Sequence, residues 1–320
     1  MNTVTSSPIL KQADDQSRRL ALLADLQQSP LLDARQRDWL REELERTKRG
    51  MQGEREATFH INSEFRDAEH HVVLHDLRLE VDGEVAQIDH LIISRALRFY
   101  LLETKCFSGE LRINAQGEFS VRYGQGQEYG IPSPLEQSRR HERVLARLLG
   151  KLEITGRLGA RPTFHHAVLL HPKAIIQRPN AQEFDSSNVI KADQIGTWRI
   201  QYNEKNITGL VLVNALINLH SMDSVRAIAD KLLRLHRPVN PLELPAFMKP
   251  KAAPPTAPVP APAQPAVTTP NPALKRKLVC ATCGQKISFT EGKFCWNREQ
   301  RFGGFQYCRE HQQPVTGGNG

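Results

Sequence analysis

GEVAQIDHLIISRALRFYLLETK, residues 83–105, decides how the rest of the chain is read. It holds two apolar runs of β character with a turn near Arg95 and Ala96, and three of its charged residues, Asp89, Glu103 and Lys105, belong to the strands themselves. Alternation puts Ile88, His90 and Ile92 on one face of the first strand and Asp89, Leu91 and Ile93 on the other. In the second strand Leu101, Glu103 and Lys105 leave one face, and Tyr100 and Leu102 the opposite one. Folded as a hairpin, the two strands bring Asp89 to Glu103 and Lys105. Two carboxylates and one amine then meet on one face.

Such a trio has a chemical meaning. Carboxylates a few ångströms apart repel unless a cation sits between them, and hard oxygen donors suit Mg²⁺ or Mn²⁺. A neighbouring lysine can orient or help deprotonate a water and offset charge developing on a phosphate. The plain alternative is a surface strand carrying Glu and Lys with Asp89 in a turn, because E-x-K is a common tripeptide. An aspartate inside a long apolar run, followed by E-x-K at the end of the next strand, shifts the reading to a metal site.

Around this stretch, composition sets the limits. The 320 residues allow one sizeable domain with appendages, or two domains, and 39% hydrophobic residues suffice for a core. A formal charge of +8 and a pI near 9.4 favour a polyanionic partner such as nucleic acid. No apolar run approaches the ~20 residues of a membrane span. The N-terminus lacks the pattern of a signal peptide. The five cysteines are Cys106 and four near the C-terminus, which favours a metal site in a reducing cytoplasm over scattered disulfides.

Residues 1–11 read as a loose tail, followed by helices over 14–26 and 33–47, the second with a Trp39, Leu40 and Leu44 stripe. Residues 1–48 are thus expected to form a docked helical extension. Gly50 and Gly53 then open a further helix in which Ala57, Ile61 and Phe65 recur at helical spacing. Glu54 and Glu56 in its first turn would ordinarily complement the helix dipole. His71–Val81 reads as a strand turning at Asp82 and Gly83. Gly109–Tyr123 suggests a hairpin about Gln116 and Gly117, with residues 124–130 as a plain connector. IPSPLEQSRRHERVLARLLG (131–150) is a helix entered through two prolines, with Gln137 and His141 four apart on one face. Phe164–Leu170 is a buried strand, residues 183–194 a short strand leading into a helix, and 207–220 and 222–235 further helices. The order of elements is α/β, with the chemistry near one sheet edge.

The segment from Gly50 to His141 resembles the nuclease-related domain family, NERD, a branch of the PD-(D/E)xK restriction-endonuclease-like fold. The resemblance rests on Gly50-x-x-Gly53-Glu54, GlnIleAspHis (87–90), GluThrLys (103–105) followed by Gly109, and Pro134-x-x-Gln137-x-x-x-His141, in the family's order. It implies a mixed sheet flanked by helices over residues 49–237. It also implies Asp89 and Glu103 holding Mg²⁺ or Mn²⁺, Lys105 assisting the water, and Glu54 and Gln137 completing the site from two helices. Residues 94–98 lack the glycine that such a chain would carry before the second strand.

Beyond Arg237 the composition changes. Pro238–Pro272 holds 12 of the chain's 20 prolines, and residues 238–275 read as a semi-rigid spacer. Residues 276–314 carry Cys280-x-x-Cys283 and Cys308-x-x-His311, two ligand pairs with 24 residues between them and the spacing of zinc knuckles. Cys295 is the alternative to the histidine as fourth ligand. So short a segment needs such a staple to fold. Lysines and arginines interleave with Phe294, Trp296, Phe302, Phe305 and Tyr307. That mixture suits single-stranded nucleic acid, although the aromatics equally suit a small core. ArgPheGlyGlyPheGlnTyrCysArgGluHisGln (301–312) resembles the zinc-binding tails attached to some NERD proteins.

The expected function is metal-dependent hydrolysis of DNA phosphodiester bonds by a cytoplasmic protein. The zinc tail would aid binding of nucleic acid, and a protein partner could engage the tail or the proline-rich spacer. The alternative is a non-catalytic nucleic-acid-binding or adaptor protein on the same fold. Cys106 reads as a small buried thiol. His70, His71, His165 and His166 have no ligand partners at metal spacing, and no G-x-S-x-G motif appears.

Overall fold

The central stretch forms the middle of a mixed sheet. The computed structural model describes residues 7–156, 159–206, 209, 213, 219–248 and 272–313. The chain parts into two compact units, one ending at Met248 and one beginning at Lys249. In chain order the first unit contains β1 (Ile9–Lys11), α1 (Ser17–Gln27), α2 (Ala34–Phe65), β2 (His71–Val81), β3 (Glu84–Ser94) and β4 (Arg98–Lys105). Then come β5 (Glu110–Ile113), β6 (Phe119–Tyr123), β7 (Gln127–Ile131), α3 (Pro134–Lys151), β8 (Thr163–Leu170), β9 (Ile176–Gln177), β10 (Val189–Lys191), α4 (Ile195–Asn206) and α5 (Met222–Arg234). The large sheet has the order β1-β2-β3-β4-β8-β10 and a small one the order β7-β6-β5-β9. β2, β3 and β4 pair antiparallel, whereas β4 pairs parallel with β8 through the α3 crossover. This is the expected mixed sheet flanked by helices.

Each face of the large sheet has its own core. On one face Leu91, Ile93, Phe99 and Leu101 pack under Val144, Leu145 and Leu148 of α3 and Val225 and Leu232 of α5. On the other, Ile92, Tyr100, Leu102 and Leu169 meet Ala57, Ile61 and Phe65 of α2 and Trp198 of α4. Alternation along β4 therefore holds, and Glu103 and Lys105 leave on the α3 side.

Along β2 and β3 alternation slips, which corrects the expected faces of the first strand. Ile88 packs into the same core as Leu91 and Ile93, and Leu77 into the same core as Leu74. The slip falls where Asp76 of β2, with a left-handed φ of 51°, lies opposite Asp89, between the pairs His75↔His90 and Leu77↔Ile88. A backbone rotation of this kind changes which parity of residues faces the core.

Three further expectations need correcting. Residues 9–11 are a strand, not part of a tail: β1 pairs parallel with β2, and Val73 N–H donates to Pro8 O at 2.8 Å. Residues 127–131 form β7 against β6 instead of a plain connector. The two helices expected around Gly50 are one 32-residue helix. It starts at a capping box between Asp33 and Gln36 and continues through strong helix formers joined by Asp38–Arg41, Glu43–Arg46 and Glu45–Lys48 pairs. Each glycine costs a helix only about 1 kcal/mol, too little to break it. The turn before β4 also manages without the missing glycine. Leu97 takes the left-handed conformation there, φ 50°, and its side chain is buried in the core.

The Trp39, Leu40 and Leu44 stripe packs on α1 and on Leu244 and Met248. The helix expected over 207–220 lies almost wholly outside the described residues, as do residues 249–271 of the spacer expected over 238–275, whereas Leu244 and Met248, from its first residues, pack on the first unit. Among those described, no helix is long and apolar enough to cross a membrane.

The second unit is described over residues 272–313. A bridge between Val279 and Lys286, the helix α6 (Phe289–Trp296) and a short helical turn at Glu299–Phe302 enclose Cys280, Ile287, Cys295, Phe302 and Tyr307. Gln306 is fully buried: its amide donates to Leu274 O and Val279 O and accepts from Trp296 Nε1.

Candidate functional site

Gly53 allows α2 to reach the end of β4. A Cβ at this position would lie 2.8 Å from Cys106 Cβ, so only glycine lets the helix approach so closely. Glu54 follows it in mid-helix and half-buried, which removes the expected helix-dipole explanation for this carboxylate. Asp89 comes from β3, and Glu103 and Lys105 from β4. α3 is capped by Ser133, started by Pro134, and brings Gln137 and His141 over the same place. Ser138 and Glu142, one turn apart on α3, hold the two ring nitrogens of His166 on β8 at 2.7 and 2.8 Å, fixing the helix's rotation.

These elements enclose a cleft of about 630 Å³ lined by Glu54, Asp89, Glu103, Lys105, Gln137 and His141, with Arg46 and Arg49 of α2 beside them. Lys105 Nζ donates to Glu103 Oε1 at 2.7 Å, and Gln137 Nε2 donates to the same oxygen at 2.5 Å. His141 Nδ1 lies 3.7 Å from Glu103 Oε2. The backbone N–H of Thr104 donates to Asp89 Oδ2 at 2.7 Å.

Residues 49–171, which carry all of these side chains except Arg46, match the sequence model of the nuclease-related domain. The chain carries a nuclease-related domain. Comparison with curated proteins and with solved structures gives no match.

The electrostatics of the nuclease-related domain's cleft are those of crowded acids. Burial first, then Asp89 and Asp76, push Glu54 up to about 8. Burial and Glu103 hold Asp89 well above the usual carboxylate range, against the Thr104 N–H. Burial also raises Glu103, against the pull of Lys105. His141 is pushed down to about 4 by burial, Arg140 and Lys105. Acids held this way favour a proton or a cation among them. Three carboxylates, oxygen donors of the kind a hard divalent ion takes, line this cleft with an amine, but among the described residues only the cysteine–histidine cluster of the second unit has ligand atoms all within 4.8 Å of one another.

Sequence reasoning missed Asp76. It takes hydrogen bonds from Asp14 N–H at 3.2 Å and Gln87 Nε2 at 3.4 Å, and its charge bears on both Glu54 and Asp89. The signal was in HVVLHDLRLEV, where apolar residues fall at 72 and 74 and then at 77, 79 and 81, a skipped beat that marks a break in the alternation at Asp76.

In the second unit, ligand atoms of Cys280, Cys283, Cys308 and His311 lie within 4.8 Å of one another. Cys283 Sγ and Cys308 Sγ are 3.9 Å apart, and His311 Nδ1 is 3.0 Å from Cys308 Sγ and 3.8 Å from Cys280 Sγ. Two thiolates on one tetrahedral Zn²⁺ sit about 3.8 Å apart, so the donor set fits this ion. Backbone N–H groups of Cys283, Cys308 and Thr282, working against burial, bring the Cys280 thiol down to about 6. Cys295 lies apart from the cluster, buried and bonded to the backbone of Tyr307.

The remaining expected residues have structural surroundings. His71 packs edge-on to Phe65 and His165 meets the Tyr202 hydroxyl. Cys106 is partly exposed beside Gly53 and lines the cleft.

Proposed function

We propose that the nuclease-related domain is a metal-dependent nuclease hydrolysing DNA phosphodiester bonds. The observation that carries this reading is the convergence of Glu54, Asp89, Glu103 and Lys105 in one cleft beside Arg46 and Arg49. Asp89 and Glu103 would hold Mg²⁺ or Mn²⁺, with Glu54 as a further donor. The bound ion supplies Lewis-acid polarisation of the scissile phosphate. Lys105, held by Glu103, positions the attacking water and places a positive charge beside the reacting phosphate. Gln137 fixes Glu103 Oε1 and thereby the direction of its second oxygen. Arg46, paired with Glu43, and Arg49 would take neighbouring phosphates of the strand.

Cys280, Cys283, Cys308 and His311 would hold Zn²⁺ and so hold the second unit's fold together. Its exposed Phe289 and Phe294, with Arg298 stacked 3.8 Å over the Phe294 ring, give a stacking surface for unpaired bases. Phe302 and Tyr307 are buried and belong to the core.

The test is cleavage of labelled single- and double-stranded DNA with Mg²⁺ or Mn²⁺ by the wild type and by Asp89→Asn. The reading expects cleavage only by the wild type, with binding retained in both. Salt-sensitive binding without cleavage on any substrate would move the protein to the adaptor class.

A further inference from the structure

Behind the carboxylates, on the α2 side of the sheet, runs an unbroken line of polar side chains. Asn62 Oδ1 meets His75 Nε2 at 2.8 Å, His75 Nδ1 meets His90 Nδ1 at 2.8 Å, and His90 Nε2 meets Thr104 Oγ1 at 3.0 Å. The line crosses one helix and three adjacent strands: α2, β2, β3 and β4. His75 is 0% and His90 1% exposed.

Two links sit beside residues of the cleft, and a third beside Asp76, whose charge bears on Glu54 and Asp89. His75 precedes Asp76, His90 follows Asp89, and Thr104 stands between Glu103 and Lys105. Asn62 lies two helical turns beyond Glu54. In β4 the link and the acid leave opposite faces, so the line braces the sheet from behind the face that carries Glu103 and Lys105. Thr104 closes the loop, because its backbone N–H donates to Asp89 Oδ2 while its hydroxyl meets His90.

The chemistry of the links is ordered. Two facing ring nitrogens at 2.8 Å bond only if one carries a proton and the other does not, so as neutral imidazoles the two rings take opposite tautomers. With Asn62 presenting its oxygen, His75 carries its proton on Nε2 and His90 on Nδ1. Thr104 then donates to His90 Nε2. All four ring nitrogens are satisfied. An apolar pair would fill the space without the desolvation cost of two imidazoles, so packing alone does not account for them.

We propose that Asn62, His75, His90 and Thr104 form a crossbar that sets the relative positions of Glu54, Asp89, Glu103 and Lys105, with His75 and His90 as positioning residues of the cation site. The proposal rests on the reading of the cleft as that site. Partners behind first ligands typically change metal affinity by about 10–100-fold when lost.

The test uses full-length wild type, His75→Leu, His75→Asn and Thr104→Val, with Asp89→Asn as the blank for the cleft. His75→Asn keeps an acceptor near the position of Nδ1 for His90, whereas His75→Leu removes it. Thr104→Val keeps shape and loses the hydroxyl, so it carries the test if His75→Leu does not fold. Mn²⁺ affinity is measured by calorimetry, and exchange of the residue-104 amide by NMR without metal. The expected result is at least tenfold weaker Mn²⁺ binding in His75→Leu and Thr104→Val, near-wild-type binding in His75→Asn, and faster amide exchange in His75→Leu alone of the two His75 variants. Folded His75→Leu and Thr104→Val proteins that bind Mn²⁺ like the wild type would overturn the crossbar, as would His75→Asn impaired as much as His75→Leu. If the wild type binds no Mn²⁺ beyond the blank, the reading of the cleft fails. The exchange rates then decide the crossbar alone, and equal rates in His75→Leu and the wild type overturn it.

Discussion

Lys105 and Gln137 donate to the same oxygen of Glu103, one from the same strand and one from a helix across the cleft. Two donors on Oε1 fix the carboxylate plane and leave Oε2 facing His141 Nδ1, at 3.7 Å. A hydrogen bond to a charged group is worth about 1.5–3 kcal/mol. Gln137→Ala is therefore expected to lower Mn²⁺ affinity and cleavage roughly tenfold or more, with a loss of about a few degrees in melting temperature. Calorimetry and single-turnover rates on the same preparation check this.

The two glycines of α2 should respond in opposite directions. A Cβ at Gly50 meets nothing within 4 Å, so Gly50→Ala should stabilise the helix by about 0.5–1 kcal/mol. At Gly53 the added Cβ would lie 2.8 Å from Cys106 Cβ. Gly53→Ala should destabilise by roughly 1–3 kcal/mol, and adding Cys106→Gly should recover part of the loss. Denaturant melts of the four proteins decide it.

The buried neutral histidines should cost stability on mild acidification. Burial, then Arg199, His70 and Arg98, push His71 down to about 4, and burial, then Arg98 and His166, do the same to His165. An unfolded histidine takes its proton near 6.5, so the unfolded chain binds more protons as the pH drops below that value. The contribution of each is complete above about pH 6.5 and is lost progressively toward pH 4, up to about 3 kcal/mol apiece. Glu54, Asp89 and Glu103, whose carboxyls are raised, work in the opposite direction over the same range, so the readout is the difference between the wild type and His165→Asn: melting temperature should fall more steeply between pH 7 and pH 4.5 in the wild type. Parallel profiles would contradict the burial argument.

Metal content separates the cysteines. Cys283→Ser should lose the second unit's zinc, whereas Cys295→Ala should keep one zinc per chain because Cys295 stands outside the cluster. Elemental analysis of purified full-length variants reads this directly. Zinc lost in Cys295→Ala with Cys283→Ser retaining it would reassign the ligands.

Much of this was legible from residues 83–105 alone, because period-2 alternation in β4 puts Glu103 and Lys105 on one face without help from distant chain. The cysteine and histidine pairs were legible from spacing. The continuity of α2 was not. Gly50 and Gly53 look like a helix start in local terms, and the reason for Gly53, contact with Cys106, lies some fifty residues away in sequence. β1 was equally hidden, since three residues carry no periodicity and the strand is defined by its partner. The His75–His90 contact depends on a register that sets two strands opposite each other, which neither histidine announces by itself.

The measurement that bears most directly on the central claim is Mg²⁺- or Mn²⁺-dependent cleavage of labelled DNA by the wild type beside Lys105→Ala and Glu103→Ala, each shown to be folded. The account predicts cleavage by the wild type that needs the ion and falls by orders of magnitude in both variants. Cleavage that persists in either folded variant would contradict it.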